Sequence, residues 1–266
     1  MVKYSLPSDV TDAQWKIFNN FLPVFKKPFG PGRPITIDRR QILNAILYLV
    51  RTGCQWRQIP PHYPKWETVY GFFRKLSLDG RWEKIHDALR EMVRHKEGRE
   101  TSPSAAIIDS QSVKTTEVTG PRGYDAGKKV KGRKRHVAVD TLGLLMGVVV
   151  HVASIQDRDG AKLVFMKLAN RFPRLKLIWA DGGYAGKLIS WVDAFCGLIL
   201  EIVKRSDVQK GFKLLPHRWI VERTFGWFGR YRRLSKDYEE HTTKSECMIQ
   251  IAMINLMLKR LSSQAK

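Results

Sequence analysis

Residues 175–183 read LKLIWADGG, a short apolar run that ends in Asp181 and is followed at once by two glycines. Apolar runs of this length, bounded by turn-forming residues, predict a buried strand over residues 175–180 with a tight turn after it. The run AAIID at residues 105–109 has the same form and predicts a strand that ends in Asp109. Because ligands gather beyond the carboxyl ends of strands in open sheets that contain parallel strands, we expect the two aspartates to lie close together.

The segments around these two runs predict an α/β region with a mixed sheet flanked by helices. Besides the two strands above, the expected elements are strands over 135–140, 144–152 and 198–203, and helices over 159–170, 185–195, 216–233 and 243–261. Three opening strands followed by alternating helices and strands favour this architecture. The order of elements is similar to that of the ribonuclease H-like fold.

Residues 1–100 predict an all-helical region. Capping pairs stand at Thr11 with Gln14 and at Asp38 with Gln41, and Pro23 and Gly53 suit the ends of the two helices that follow them. Two more helices are expected over 66–76 and 80–95, and residues 97–104 are typical of a linker. We therefore expect a helical domain over residues 1–100 and an α/β domain over residues 101–266. The helices at 38–52 and 66–77 suggest a helix-turn-helix, although the segment between them is longer than the usual turn of about 3–4 residues.

The charge of the chain indicates a polyanionic partner. Lys and Arg total 47 against 25 acidic residues, a formal net charge of +22, and nucleic acid is the commonest partner of so basic a protein. The charge alone does not separate DNA from RNA. The three cysteines are far apart in sequence, which disfavours a disulfide framework or a structural zinc site. We find neither an apolar signal core nor an apolar run of the roughly 20 residues needed to span a membrane, and we expect a cytoplasmic protein without a membrane partner.

A third acidic residue, Glu222, lies in the predicted helix over 216–233. On a helical wheel it shares a face with two arginines and two glycines: Arg218, Arg233, Gly226 and Gly229. Glycine in a helix interior costs about 1 kcal/mol relative to alanine, so these positions need a reason. Close approach of a phosphate backbone is one, and close packing against another helix is the other. The arginines are either surface ion pairs or phosphate clamps.

Three carboxylates from these elements suit a site for divalent metal ions. A lone aspartate at the end of a strand is usually a turn or cap residue, so only the three carboxylates together indicate a metal site. Such a set can hold two ions about 3.5–4 Å apart, one at the attacking oxygen and one at the leaving oxygen. Carboxylate oxygens favour Mg²⁺ or Mn²⁺.

Three sequence blocks resemble the signatures of bacterial insertion-sequence transposases of the DDE class, and most of all the family numbered five. They are DSQSVKT from Asp109, WADGGYAG around Asp181 and HRWIVERTFGWFGRYRRLSKDYE around Glu222. The N-terminal runs TDAQW, GRP, ILNAILYLVRTGCQWRQIP and TVYGFFRKL resemble the helical DNA-binding region of that family. The resemblance covers nearly the whole chain and implies that Asp109, Asp181 and Glu222 are a catalytic triad.

A second resemblance, to the related family numbered four, is partial. That signature has Tyr, Arg, Glu and Lys at fixed spacing. Here Arg218 and Glu222 fit, but Leu215 stands at the Tyr position and Gly229 at the Lys position. Arg230, one place later, is the candidate substitute for the missing lysine, and Arg218 is the firmer candidate for phosphate contact.

Residues 121–136 are strongly basic and are predicted as a long loop followed by the start of a strand. They include Lys128, Lys129, Lys131, Arg133, Lys134 and Arg135. A solvated basic loop is one reading. Contact with DNA phosphates is the other, and we favour it beside a catalytic carboxylate, since such contacts position nucleic acid without reading its sequence. Among other acids, Asp159 suits a helix cap, and Asp157 is a candidate for a supporting role.

The resemblance implies metal-dependent cleavage at the ends of a mobile element, followed by strand transfer into target DNA. Its partners would be terminal inverted repeats and target DNA in the bacterial nucleoid, with the protein acting as a homo-oligomer. Two alternatives stay open on the sequence. One is a ribonuclease H-like nuclease or resolvase that cuts without joining, and the other is a transposase-derived DNA-binding protein without catalysis.

Overall fold

The computed structural model describes residues 5–22, 38–117, 120–203 and 217–263. Two features of the sequence, the expected helix end at Pro23 and the departure at Leu215, lie outside these residues. Within them, the predicted mixed sheet flanked by helices is confirmed. The chain begins with helices, continues into the sheet and ends in a long helix.

Six strands form one sheet. They are β1 (Ala105–Lys114), β2 (Gly123–Asp125), β3 (Val130–Asp140), β4 (Leu145–Val152), β5 (Leu177–Ala180) and β6 (Ile199–Ile202). The strand order is β2-β3-β1-β5-β6, with β4 also paired to β3. β3 is antiparallel to β1, β2 and β4, whereas β1, β5 and β6 are parallel. The parallel strands bring the ends of β5 and β6 to the same edge of the sheet.

β1 extends beyond Asp109, so the predicted strand end at this residue was wrong. The parallel pairing with β5 stops at Ile107 opposite Trp179, but the antiparallel pairing with β3 continues to Lys114 opposite Gly132. The polar residues after Asp109 are therefore held in a ladder by a partner strand distant in sequence. Most of the basic segment at 121–136 is likewise strand, in β2 and β3, rather than the expected loop.

Eight helices surround this sheet in the described parts of the chain. They are α1 (Asp12–Asn19), α2 (Arg39–Thr52), α3 (Trp66–Leu78), α4 (Arg81–Lys96), α5 (Asp157–Leu168), α6 (Lys187–Cys196), α7 (Arg218–Phe228) and α8 (Thr242–Ser262). The capping box of Thr11 and Gln14 is confirmed. Gly53 ends α2 in the left-handed region at φ 75°, where an added Cβ would lie 3.1 Å from the Arg232 backbone.

Two helix boundaries differ from those predicted. α7 ends at Phe228, so Arg233 is not on its surface and belongs to a separate short turn, Arg232–Leu234. α5 begins at Asp157 after the cap residue Gln156. Asp159 is thus a first-turn residue, where an acid favours the helix dipole, and its predicted capping role was wrong.

The core is divided between the two faces of the sheet because successive strand residues point to opposite sides. Ala106 and Ile108 belong to the cluster under α5 and α6. Ile107 belongs to the other cluster, which also contains buried residues of α1 to α4, α7 and α8. The N-terminal helices therefore share one apolar cluster with α7, α8 and one face of the sheet. The functional boundary near residue 100 stays a prediction.

A buried ion pair ties α4 to the turn between β3 and β4. Arg94 Nη1 lies 2.5 Å from Asp140 Oδ2, and the Asp140 side chain is 0% exposed. Asp140 Oδ1 also accepts hydrogen bonds from the backbone N–H groups of Leu142 and Leu144. This aspartate therefore has a structural role at the turn.

No helix within residues 5–22, 38–117, 120–203 and 217–263 is long and apolar enough to cross a membrane.

Candidate active site

The structure brings the three predicted carboxylates together around one guanidinium. Asp109 lies in β1, Asp181 directly follows β5 and Glu222 lies on α7, which packs on β1. Arg218 Nη2 is 4.0 Å from Asp109 Oδ2, 3.5 Å from Asp181 Oδ2 and 3.6 Å from Glu222 Oε1. Arg218 and Glu222 are one helical turn apart, so the helix presents both to the ends of the strands.

The carboxylates differ in burial and in their hydrogen bonds. The side chain of Asp109 is 17% exposed and that of Glu222 is 56% exposed. Asp109 Oδ1 accepts a hydrogen bond from its neighbour's backbone, Ser110 N–H, at 2.6 Å. Asp181 Oδ1 accepts one from Gly183 N–H at 2.8 Å and so caps the short turn Gly182–Tyr184. Two of the three carboxylates are thus oriented by the backbone.

Asp109 stands in an environment that disfavours its negative charge. Burial raises the pKa of Asp109 to about 6, and the nearby carboxylate of Asp181 acts in the same direction. The Ser110 N–H group, Arg218 and Lys128 oppose this shift in the pKa of Asp109 without cancelling it. A partly desolvated carboxylate beside a second carboxylate is stabilised by positive charge between them. Additional positive charge at the site would therefore favour the ionised form of Asp109.

The donor set fits a hard divalent ion. Among the described residues, no group of three or more His, Cys, Asp or Glu side chains is already arranged as a metal cage, and Arg218 stands between the three acids. Asp109, Asp181 and Glu222 offer only carboxylate oxygens, which suit Mg²⁺ and Mn²⁺ rather than softer metals. These three residues would hold the ion.

The arginines predicted beside Glu222 have different positions. Arg218 lies within the site. Arg230 is exposed, and its carbonyl oxygen accepts a hydrogen bond from Arg51 Nη1 at 2.6 Å. Arg233 is buried and pairs with Glu239 at 2.7 Å, so it holds the chain after α7 rather than facing the site. An added Cβ at Gly226 would meet nothing within 4 Å, so close helix packing does not explain that glycine.

The basic segment separates into exposed and buried residues. Lys129 and Lys131 are exposed, and Lys128 Nζ donates to the Ser110 carbonyl at 3.0 Å, beside Asp109. Three others are buried and have internal partners: Arg133 with the Glu239 and Glu240 carbonyls, Arg135 with the Leu234 and Lys236 carbonyls, and Lys134 with Asp125 and Asp157. The alternative of a wholly solvated loop is therefore wrong, and the favoured expectation of phosphate contact stays a prediction for the exposed lysines only.

Asp157 contacts Ser110, the residue that follows Asp109. Its Oδ1 accepts a hydrogen bond from Ser110 Oγ at 2.9 Å and pairs with Lys134 Nζ at 2.8 Å. Ser110 is the residue after Asp109, and Lys128 Nζ also donates to Ser110 Oγ at 3.1 Å. Asp157 thus contacts the neighbour of a candidate site carboxylate, and its supporting role stays a prediction.

A buried cluster of His136, His151 and Tyr184 was missed in the sequence. His136 lies opposite Ser110 in β3, and Tyr184 ends the turn that Asp181 caps. The sequence contained a signal for this cluster, because a hairpin formed by the two neighbouring strands brings the two histidines close together. His136 pairs with Val149, and His151 is two residues further on. Residues placed diagonally in this way can touch on one face of a sheet.

Gly160 in α5 makes room for this cluster, which gives a testable expectation. An added Cβ would lie 2.6 Å from His136 Nδ1 and closer still to His151 Nε2. Gly160→Ala should lower the free energy of unfolding by about 1–3 kcal/mol through overpacking, despite the better helix propensity of alanine. Gly226→Ala, in the open interior of α7, should instead raise it by up to about 1 kcal/mol. Urea unfolding of both variants measures the difference, and equal effects would contradict the packing described.

Comparison with known proteins gives matches over both parts of the chain. A family model described as "Transposase DDE domain" matches residues 100–258, more than half of the chain, and one described as "Putative transposase of IS4/5 family" matches residues 10–86. Two Burkholderia cepacia proteins are each 27% identical. The "Insertion element IS402 uncharacterized 16.2 kDa protein" aligns with 46% of this chain and 78% of its own length. The "Putative transposase for insertion sequence element IS402" aligns with 52% and 67%.

A solved structure, "Crystal structure of the Mos1 Strand Transfer Complex", also matches. It is 9% identical with a TM-score of 0.24, over 91% of this chain and 83% of that one.

Proposed function

The chain belongs to the DDE transposase family, and we propose that Asp109, Asp181 and Glu222 are its catalytic triad. As a member it is a DNA-binding enzyme that depends on divalent metal. The observation that carries the proposal is the convergence of these three carboxylates on Arg218, within 4.0 Å of its guanidinium. The residues come from a central strand, from the end of its parallel neighbour and from a helix that packs on the first strand.

We propose Mg²⁺ or Mn²⁺ as the metal, with two ions in each site. Bound ions would lower the pKa of an attacking water or hydroxyl and stabilise the leaving oxygen. Other groups of the chain orient the proposed metal ligands. Ser110 N–H and Gly183 N–H fix the carboxylates of Asp109 and Asp181, and the exposed face of α7 beside Gly226 leaves room for a phosphate backbone.

Arg218 has two roles in this proposal. In the structure its single positive charge offsets part of the negative charge of the three carboxylates. When DNA is bound, it turns to the phosphate oxygens, which guanidinium groups bind in a bidentate manner. Hydrolysis of one strand leaves a free 3′-hydroxyl. That hydroxyl then attacks a phosphodiester of target DNA and displaces a 3′-hydroxyl of the target strand, and no covalent bond between protein and DNA is formed.

The proposed DNA contacts are Arg218, which lies within the site, and four exposed cations, Arg230, Lys128, Lys129 and Lys131. The contacts predicted for Arg133, Lys134, Arg135 and Arg233 are not retained, because these side chains are buried against protein partners. The N-terminal helices would recognise the terminal inverted repeats. A homo-oligomer would bring two sites to the two ends, on chromosomal DNA in the cytoplasm.

The proposal is tested with labelled duplexes that carry the element's own terminal repeats, taken from the DNA flanking the gene. With Mg²⁺ present, we expect nicked ends and, with a target plasmid added, joined products. Chelation by EDTA should abolish both, and added Mg²⁺ should restore them. Pre-cleaved ends with a free 3′-hydroxyl isolate the joining step. Cutting without joining would favour the nuclease alternative, and the absence of both would favour a DNA-binding protein without catalysis.

A further inference from the structure

The buried side chains of His151, His136 and Tyr184 are linked by hydrogen bonds whose donors and acceptors can be assigned. His151 Nδ1 lies 2.9 Å from the Val152 carbonyl, which can only accept, so Nδ1 carries the proton. Burial lowers the pKa of both His151 and His136, so both rings are neutral and His151 Nε2 is an acceptor. His136 Nδ1, at 3.1 Å, therefore donates to it.

The chain of bonds ends at Tyr184. Since His136 Nδ1 carries the proton of its ring, His136 Nε2 is an acceptor. The hydroxyl of Tyr184, 2.7 Å away, donates to it. Burial raises the pKa of Tyr184 well above its ordinary value, which keeps this hydroxyl protonated. Every hydrogen bond in the cluster thus has one direction, which makes the arrangement specific.

These hydrogen bonds matter because Tyr184 lies in the turn that follows Asp181. Backbone pairing between β1 and β5 ends at Ile107 opposite Trp179, before either aspartate is reached. Asp181 therefore has no ladder hydrogen bond to the strand that carries Asp109. The turn that it caps is connected across the sheet through Tyr184 to His136, the residue of β3 opposite Ser110.

The cluster is enclosed on its remaining side by α5. Gly160 is the point of contact, and a methyl group there would overlap both imidazoles. Glycine within a helix costs about 1 kcal/mol relative to alanine, and its presence here is explained by the two histidines. The rings of His136 and Tyr184 are 0% and 1% exposed. The cluster is thus held in one arrangement by packing as well as by hydrogen bonds.

We propose that Tyr184, His136 and His151 are positioning residues that fix the turn after β5 and so set the separation of the Asp181 and Asp109 carboxylates. The inference rests on the proposed role of these two aspartates in metal binding. Partners that orient metal ligands typically contribute about 10–100-fold to metal affinity. Loss of the Tyr184 hydroxyl should therefore weaken binding of a divalent ion without removing any ligand.

Tyr184→Phe tests this directly, with Mn²⁺ as the probe and titration calorimetry or electron paramagnetic resonance as the readout. We expect Mn²⁺ binding to weaken by at least about 10-fold. Tyr63→Phe is the matched control, because Tyr63 is also buried and its hydroxyl donates one hydrogen bond, at 2.6 Å, to Asp9 in the N-terminal helical part. Both variants should lose similar stability, but Tyr63→Phe should bind Mn²⁺ like the wild type.

The outcomes separate this inference from the proposed function. Wild-type Mn²⁺ affinity in folded Tyr184→Phe would overturn the inference alone, provided that Asp181→Asn loses Mn²⁺ binding. Wild-type affinity in Asp181→Asn would overturn the proposed function as well. If Tyr184→Phe does not fold, His136→Leu removes the same hydrogen bond from the other side. Weaker Mn²⁺ binding in that variant supports the inference, and unchanged binding contradicts it.

Discussion

Asp109→Asn, Asp181→Asn and Glu222→Gln should each lower strand cleavage and strand transfer by about 10³-fold or more. Loss of a residue that merely orients a metal ligand already costs about 10–100-fold, and these changes remove the proposed ligands themselves. The measurement is the rate of nicked and joined product on labelled terminal repeats. Asp159→Asn is the control, a carboxylate of α5 that is 62% exposed and pairs with Lys162, and it should act like the wild type.

Asp109→Asn should also be at least as stable as the wild type at pH 7. The pKa of Asp109 is about 6 in the folded protein, above the value of about 3.8 for the unfolded chain, so the ionised form is disfavoured by folding. As pH falls through 6 towards 3.8, the native state takes up the proton first and the wild type gains stability from this group. The advantage of the variant should therefore shrink over that window. A variant that is both inactive and unstable at pH 7 would argue for a structural role instead.

Asp140→Ala should lower the free energy of unfolding by about 3–5 kcal/mol, because it leaves the buried Arg94 guanidinium without its partner. Two backbone N–H groups of the β3–β4 turn lose their acceptor in the same change. Since domains of this kind are stabilised by only about 5–15 kcal/mol, the variant should unfold at much lower urea concentration. Circular dichroism during urea titration gives the value.

The control for Asp140→Ala is another ion pair with the same separation. Arg40 Nη1 and Asp12 Oδ1 are also 2.5 Å apart, but the Asp12 side chain is 95% exposed. Exposed pairs contribute about 0–1 kcal/mol, so Asp12→Ala should have a small effect. A similar loss of unfolding free energy in both variants would mean that burial does not make the Asp140 ion pair more stabilising than the exposed one.

The position of Asp181 could be predicted because its signals are local. An apolar run, an acid and two glycines specify a strand followed by a turn, and the structure has both. Asp109 was recognised as a site residue, but the length of its strand was not. Four of the five residues from Ser110 to Lys114 are polar, and this segment forms a strand by pairing with β3. That pairing is invisible in the local sequence.

The burial of Arg133 and Arg135 could not have been predicted from their charge. A run of basic residues ordinarily indicates a solvated surface. Here carbonyl groups at residues 234–240, about a hundred positions later, accept the guanidinium hydrogen bonds. For Arg218 and Glu222 the helical spacing was local and was predicted. The reach of Arg218 to both aspartates depends on how α7 packs on the sheet.

The shared apolar cluster has a consequence for the spacing between the proposed DNA recognition surface and the proposed catalytic site. The N-terminal helices pack into the same cluster as α7 and α8, and Gly53 at the end of α2 touches the backbone just after α7. In the described residues, the proposed recognition helices and the helix that carries Glu222 are therefore packed on one apolar cluster. If these proposals hold, we expect the dimensions of the fold to set the number of base pairs between the recognised sequence and the cut.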